Sequence, residues 1–417
     1  MNKTPAKLGI YCPGNGTGGP WRYVHSILAG IDPDEFHVVV FCDLPGGYGP
    51  QPRVEVVRLA EADSTASPSA TAEIATHRSG RSTFSKVAPA AVKVCTGFTR
   101  EAVRLSRFLR RHPVDLFHTQ NTGCEESPVA AKLAGIRNVI GTFHVDSTYD
   151  LHRERSGPGH RILEAISNRC LDTAIAVSRA TKTDWVRRSS IPAGRVVAIH
   201  NGIDPEKFAR RVSKELARRK LGLPVDALVV GGVGRLDEAK GFGDLIDAVA
   251  MLSSEFPNLA LILAGQGPLR GELERQVERL GLSSRVRFPG FLSDVQLVLD
   301  SLDVFVLPSL CETLGYALLE AMATELPAIG SAVGGIPEVI AEGETGFLIP
   351  PRDPARLAAV LRKVLRDRGL RRAMGAAGRV RVIRDFHERD MVRKTIEIYR
   401  LNRFRAIFTH SIDRTFP

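Results

Sequence analysis

The second half of this chain alternates short apolar runs with helical patterns so regularly that few architectures can hold it. Runs at 228–233, 259–263, 285–288, 304–307 and 328–330 read as strands, and each is succeeded by a helical pattern. Behind the first, Phe242, Leu245, Ile246, Val249 and Leu252 recur at the spacing of one helix face. Such alternation calls for parallel strands joined by crossover helices, and so for a sheet covered on both faces. The first half repeats the rhythm at 8–12, 37–41, 54–58, 115–118, 139–143 and 173–177. Its exception is 61–93, a Ser/Thr/Ala/Pro-rich stretch with weak periodicity. Such a composition buries little, and it reads as a long surface loop with at most one short helix. The fold class expected is α/β with two Rossmann-like domains. The first runs over 1–205 and the second over 206–390, with a linker near 202–210 and a last helix and tail over 391–417.

A chain of 417 residues is long enough for two cores. It has no continuous apolar stretch of membrane-spanning length. The amino end passes from Met-Asn-Lys into a strand without an apolar leader, and the 6 cysteines are scattered without metal-ligand spacing. The expectation is a cytoplasmic protein with no metal site. The net charge of +11 raises nucleic acid, anionic lipid or a plain basic surface. No basic segment is interleaved with aromatics as stacking platforms require, so nucleic acid is not expected as a partner. On the helix expected over 94–111, Phe98, Ala102, Leu105 and Leu109 form one stripe, and Arg100, Arg104, Arg107 and Arg111 another. The basic stripe is either an ordinary solvated face or a dock for an anionic membrane surface.

The most specific chemistry lies in Glu312-Thr-Leu-Gly-Tyr-Ala-Leu-Leu-Glu320. A buried strand ends at Pro308, and Gly315 opens a helix whose N-terminus suits a phosphate. Glu312 falls in the loop over that end, and Glu320 about two turns inside the helix. Carboxylates flanking an anion site accept from hydroxyls, so the ligand implied has phosphates in the middle and hydroxyls at both ends, as a nucleotide sugar does. Arg235 and Lys240 sit in the loop after another strand, bracketed by Gly234 and Gly241. Cations beside flexible backbone suit a diphosphate, and where one departs as a leaving group they stabilise the charge that grows on it.

These segments resemble glycosyltransferase family 4, retaining enzymes of the GT-B fold. Glu312 to Glu320 resembles its E-x7-E motif, and Gly234-Arg-Leu-Asp-Glu-Ala-Lys240-Gly its basic phosphate loop. Ile199-His-Asn-Gly-Ile-Asp204, Ala323-Thr-Glu-Leu-Pro-Ala-Ile-Gly330 and Gly334-Gly-Ile-Pro-Glu-Val339 resemble flanking family segments. The resemblance implies two Rossmann-like domains facing each other across a cleft, with the last helix crossing back onto the first. It implies a retaining hexosyltransferase that moves a sugar from a UDP- or GDP-sugar donor to a saccharide or lipid-linked acceptor, in cell-surface polysaccharide or glycolipid synthesis. No cofactor and no metal are implied, the nucleotide sugar being substrate. Carried over, Glu320 takes the ribose hydroxyls, Glu312 lies near the transferred sugar, and Arg235 and Lys240 act on the diphosphate. His144, ending the strand in Gly141-Thr-Phe-His144, reaches toward the reacting sugar; His118 is a weaker candidate of the same kind. Gly18, Gly19, Gly234, Gly265, Phe291, Gly315, Tyr316 and Leu318 complete the donor-binding set.

Three rivals stay open. Gly14-Asn-Gly16-Thr-Gly-Gly19 fits a dinucleotide fingerprint, with Asp43 placed for a ribose, which would make an NAD(P) or flavin oxidoreductase. A nucleotide-sugar epimerase and a non-catalytic binding module can share the fold. At the glycine turn the chain continues Pro20-Trp21-Arg22, where the family has Gly-Gly-x-Glu.

Overall fold

Two wholly parallel sheets carry the fold. The structure, a computed structural model, describes residues 4–13, 18–42, 54–59, 87–121, 126–144, 158–189 and 191–412. These fall into two compact units, one of 1–177, 182–199 and 392–417, the other of 178–181 and 200–391.

The strands of the first unit are β1 (Ala6–Tyr11), β2 (Phe36–Cys42), β3 (Val54–Arg58), β4 (Leu116–Asn121), β5 (Asn138–Phe143), β6 (Thr173–Ala176) and β7 (Val196–Ala198). They lie in the order β3-β2-β1-β4-β5-β6-β7. Six were expected; β7, only three residues long, was not. Every described residue of β5 and β6 is buried, as befits central strands under helices on both faces. The long loop expected at 61–93 ends earlier than anticipated, because the helix Val87–Arg111 already includes 87–93. The rest of that stretch lies outside the described residues.

The second unit holds β8 (Leu228–Val233), β9 (Leu259–Ala264), β10 (Val286–Gly290), β11 (Val304–Leu307), β12 (Ala328–Ser331) and β13 (Gly346–Ile349), in the order β10-β9-β8-β11-β12-β13. One core forms where Phe242, Leu245, Ile246, Val249 and Leu252 of the helix Phe242–Leu252 meet β8 and β9. A second, beneath the sheet's other face, centres on Leu314, Leu318, Leu319 and Met322.

The last helix, Glu388–Ile412, returns to the first unit from residue 392 onward, as the resemblance implied. It is tied there by polar bonds as well as packing. Thr395 Oγ1 lies 2.9 Å from Tyr23 OH, Tyr399 OH 2.7 Å from His118 Nδ1, and Arg400 donates to both carboxylate oxygens of Glu35.

The second unit also contains a charged core element. Asp303, just before β11, accepts from Lys214 Nζ at 2.6 Å, Arg218 at 2.7 Å and the Val229 N–H at 2.9 Å. Burial pushes its carboxyl up, but the two cations and the backbone donor outweigh this and hold it below the usual range. Removing Asp303 leaves Arg218 buried without its counter-ion, so Asp303→Ala should cost about 3–5 kcal/mol of stability in urea unfolding. The sign with pH follows from the lowered value. The stabilisation is complete above the ordinary carboxylate range and fades as pH falls through the folded value. Asp303→Asn should therefore flatten the acid limb of the wild-type stability curve; an unchanged limb would remove Asp303 as a cause.

Candidate active site

In each sheet the strand order reverses beside its first strand, and open parallel sheets bind ligands beyond the carboxyl ends at that reversal. In the second unit the place is between β8 and β11. The loop after β8 carries Gly234, Arg235 and Lys240; the loop after β11 carries Glu312. A backbone bond from Leu310 N–H to the Ala239 carbonyl, 2.8 Å, laces the two loops together. Lys240, ending a 3-10 turn at Glu238–Lys240, then meets Glu312: Nζ donates to Oε2 at 2.5 Å. Both side chains are mostly buried, 17% and 11% exposed. In so enclosed a place the attraction is much less screened than at a surface.

The backbone around Glu312 is packed from behind. The Gly335 N–H donates to the Glu312 carbonyl, and a Cβ on Gly334 would lie 1.7 Å from that same oxygen. Gly315, at φ +93°, makes the left-handed turn that opens the helix Tyr316–Ala323, and no side chain caps that end. The helix therefore presents its positive end beside Glu312.

Glu320 is the fifth residue of this helix, so it stands little more than one turn inside, not two. It is also 2% exposed, sunk in the wall and not displayed on it. Leu318 is fully buried in the core, which leaves only its backbone for a ligand. Tyr316 is half-buried. Gly234 packs on the Lys240 stem, with Cε at 3.5 Å from where its Cβ would stand. Gly265 donates its N–H to the Gly290 carbonyl at 2.9 Å, and Phe291, one residue further on, is 60% exposed. Arg235 does not join Lys240 and Glu312. Its side chain is 66% exposed and pairs at 3.3 Å with Asp237.

The remaining candidates belong to the first unit. Gly18, at φ +93°, precedes the helix Gly19–Gly30, which has no side-chain cap and carries Pro20 in its first turn. Gly14, Gly16 and Asp43, on which the dinucleotide reading leaned, lie outside the described residues. His144 follows β5, half-buried, with Nε2 2.7 Å from Gln120 Oε1. Burial holds its imidazole well below the ordinary range, and so predominantly neutral. His118 is fully enclosed within the unit, so its expected kinship with His144 is corrected: it supports from inside.

Sequence reasoning did not find Gln120, Tyr399 or Glu338. Glu338, in the Gly334–Val339 segment, accepts from the N–H groups of Arg179 at 3.0 Å and Ala180 at 2.7 Å and from His200 Nε2 at 2.6 Å. It anchors the chain around residue 200. A signal existed only for Gln120, which shares the alternation of β4 with His118. Among the described residues no cluster of three His, Cys, Asp or Glu could hold a metal ion.

The geometry is that of a Rossmann-like sheet edge with a paired cation beside an uncapped helix end. Residues 17–207 match glycosyltransferase family 4, and residues 213–381 match glycosyl transferases group 1. The α-maltose-1-phosphate synthase of Mycolicibacterium smegmatis is 30% identical over 303 residues, covering 68% of this chain and 77% of that protein. The D-inositol 3-phosphate glycosyltransferase of Streptomyces avermitilis is 35% identical over 217 residues, 49% of this chain. That match spans only about half, 47%, of the Streptomyces protein's length. Anabaena HepE, solved with UDP-glucose, superposes with a TM-score of 0.74 at 22% identity, covering 94% of this chain and 99% of that one, a likeness of fold. The chain belongs to the family 4 glycosyltransferases of the GT-B fold.

The tight backing of Glu312 gives a stability test. A methyl at Gly334 must push the Glu312 backbone away, so Gly334→Ala should lose about 1–3 kcal/mol in urea unfolding. A wild-type denaturation curve would contradict the close approach.

Proposed function

We propose that the protein is a retaining glycosyltransferase that moves a sugar from a nucleotide donor to a saccharide or lipid-linked acceptor. The observation that carries this reading is the Lys240–Glu312 pair, set at the strand-order reversal beside an uncapped helix end. A donor diphosphate would take Lys240 and the helix N–H groups, with Arg235 swinging in from the surface as a second cation. Glu312 would then accept from sugar hydroxyls, and Glu320 from the ribose. As the bond from the anomeric carbon to phosphate oxygen breaks, the acceptor oxygen forms its bond on the same face. Its proton passes to the departing phosphate. Charge on the leaving group grows through this step, and Lys240 stabilises it without a metal.

UDP is the first donor nucleotide to try, since HepE is bound to UDP-glucose. Thermal shift against UDP, GDP and ADP and then their sugars identifies the donor, because a specific binder raises the midpoint with its concentration over Kd. With that donor, Lys240→Ala should lower kcat about a hundred- to a thousandfold. Raised KM with undiminished kcat would reduce Lys240 to a capture role. Arg235→Lys should recover only part of the loss of Arg235→Ala, because an ammonium lacks the guanidinium fork.

The pairing adds a sharper demand. Glu312 competes with phosphate for Lys240, so Glu312→Gln should bind the bare nucleoside diphosphate about tenfold more tightly while turning over more slowly. Calorimetry showing weaker binding would contradict the competition. Glu320→Gln, isosteric because the site is buried, should weaken the diphosphate about tenfold, the equivalent of a charge-assisted hydrogen bond.

A membrane-facing acceptor is favoured by the first unit's surface. Arg100, Arg104, Arg107 and Arg111 are all exposed, whereas Ala102, Leu105 and Leu109 are buried. The helix Pro158–Arg169 packs on this one and exposes Ile162 and Ile166, 61% and 43%. No helix of the described residues is long and apolar enough to cross a membrane. Co-sedimentation with phosphatidylglycerol vesicles should fall when the four arginines become Gln, each contributing about 1 kcal/mol. Wild-type protein that stays in the supernatant would leave the stripe an ordinary solvated face.

A further inference from the structure

Behind His144 the first unit encloses a chain of polar side chains to which no role has yet been given. His118 and Gln120, alternate residues of β4, are fully buried, and His144 beside them is half-buried. His118 Nδ1 lies 2.7 Å from Tyr399 OH, and its Nε2 2.7 Å from Thr142 Oγ1. The Gln120 amide nitrogen is 3.4 Å from His118 Nε2, and its Oε1 is 2.7 Å from His144 Nε2. Tyr23 packs edge-on against His144, ring centroids 5.2 Å apart, and its hydroxyl is 2.9 Å from Thr395 Oγ1. The chain thus runs from the C-terminal helix, which supplies Thr395 and Tyr399, to His144 at the carboxyl edge of the sheet.

The donor and acceptor roles are fixed by this amide orientation. An amide oxygen only accepts, so His144 Nε2 carries the hydrogen. The amide nitrogen donates, which leaves His118 Nε2 bare, and the Thr142 hydroxyl beside that nitrogen then donates to it as well. The His118 hydrogen then sits on Nδ1 and is donated to the Tyr399 oxygen. Burial supports neutral rings throughout, with the His118 imidazole pushed down to about 3.

We propose that Gln120 is a positioning residue: it holds His144 as the neutral Nε2–H form, making Nδ1 a hydrogen-bond acceptor, and is itself set by Tyr399 through His118. This rests on the reading that His144 meets the transferring sugar or its acceptor. There a ring nitrogen held as an acceptor receives a hydroxyl hydrogen, whereas the other tautomer would offer a hydrogen in its place. Docking of the C-terminal helix thereby becomes a condition of correct chemistry at a residue it does not bond.

Histidine side-chain 15N spectra of the whole protein test the arrangement without turnover. His144, assigned by its loss in His144→Ala, should show the Nε2–H pattern in the wild type and a mixture of tautomers in Gln120→Met. With the sugar nucleotide selected by thermal shift, Gln120→Met should lower kcat about tenfold, the worth of one hydrogen bond, with KM essentially unchanged. Tyr399→Phe should act in the same direction, about threefold, and serves where the buried Gln120 change impairs folding. An Nδ1–H pattern for wild-type His144, or wild-type spectra and kcat in both variants, would overturn the proposal. Wild-type kcat in His144→Ala would overturn the underlying reading as well, even with the expected tautomer, so the two failures are told apart.

Discussion

The Lys240–Glu312 pair is the interaction on which the second unit's site depends. It joins the loops of two adjacent parallel strands at the point where the strand order reverses, and it is mostly enclosed. An enclosed ammonium must have a partner. Glu312 supplies one, which holds the cation at the edge of the sheet and mostly out of solvent. On the function proposed, a diphosphate would gain entry only by offering more than the carboxylate does, and the uncapped helix after Gly315 would let it do so. The same pair would serve both selectivity and catalysis: it discriminates against weak anions at rest, and it answers growing charge on the leaving group during reaction.

The first unit solves a different problem. Its sheet edge carries His144 as a neutral imidazole, and neutrality comes from burial, whereas the direction proposed for it comes from hydrogen bonds. The helix Glu388–Ile412 matters here. It closes the unit by burying Tyr399 and Thr395, and these tie His118 and Tyr23 in place behind His144. Packing and electrostatics are thus set by one returning segment.

Much of this was legible in the sequence. Strands 228–233 and 304–307 were read with the boundaries the structure has, because each is an uninterrupted apolar run closed by a Gly or Pro. β7 and β13 were missed because Val196-Val-Ala198 and Gly346-Phe-Leu-Ile349 are too short to show a period. Of the candidate residues, Lys240 and Glu312 were found as separate loop charges. Their pairing was not visible, since 72 positions separate them and only the sheet topology brings them together. Tyr399 and His118, 281 positions apart, are the extreme case. The burial of Glu320 is not legible in the sequence, because a glutamate on a helix reads as solvated until the neighbouring elements are in place.

On donor binding Lys240 would change partner from carboxylate to phosphate. The direct measurement is the 15Nζ–1H spectrum of the lysine ammonium groups during titration with UDP, or with whichever diphosphate thermal shift selects, the Lys240 signal being assigned by its loss in Lys240→Arg. This signal should move in step with binding, gain a coupling to phosphorus, and in Glu312→Gln start from a different position yet end at the same one. A Lys240 signal that stays in place while the diphosphate saturates the protein would contradict it.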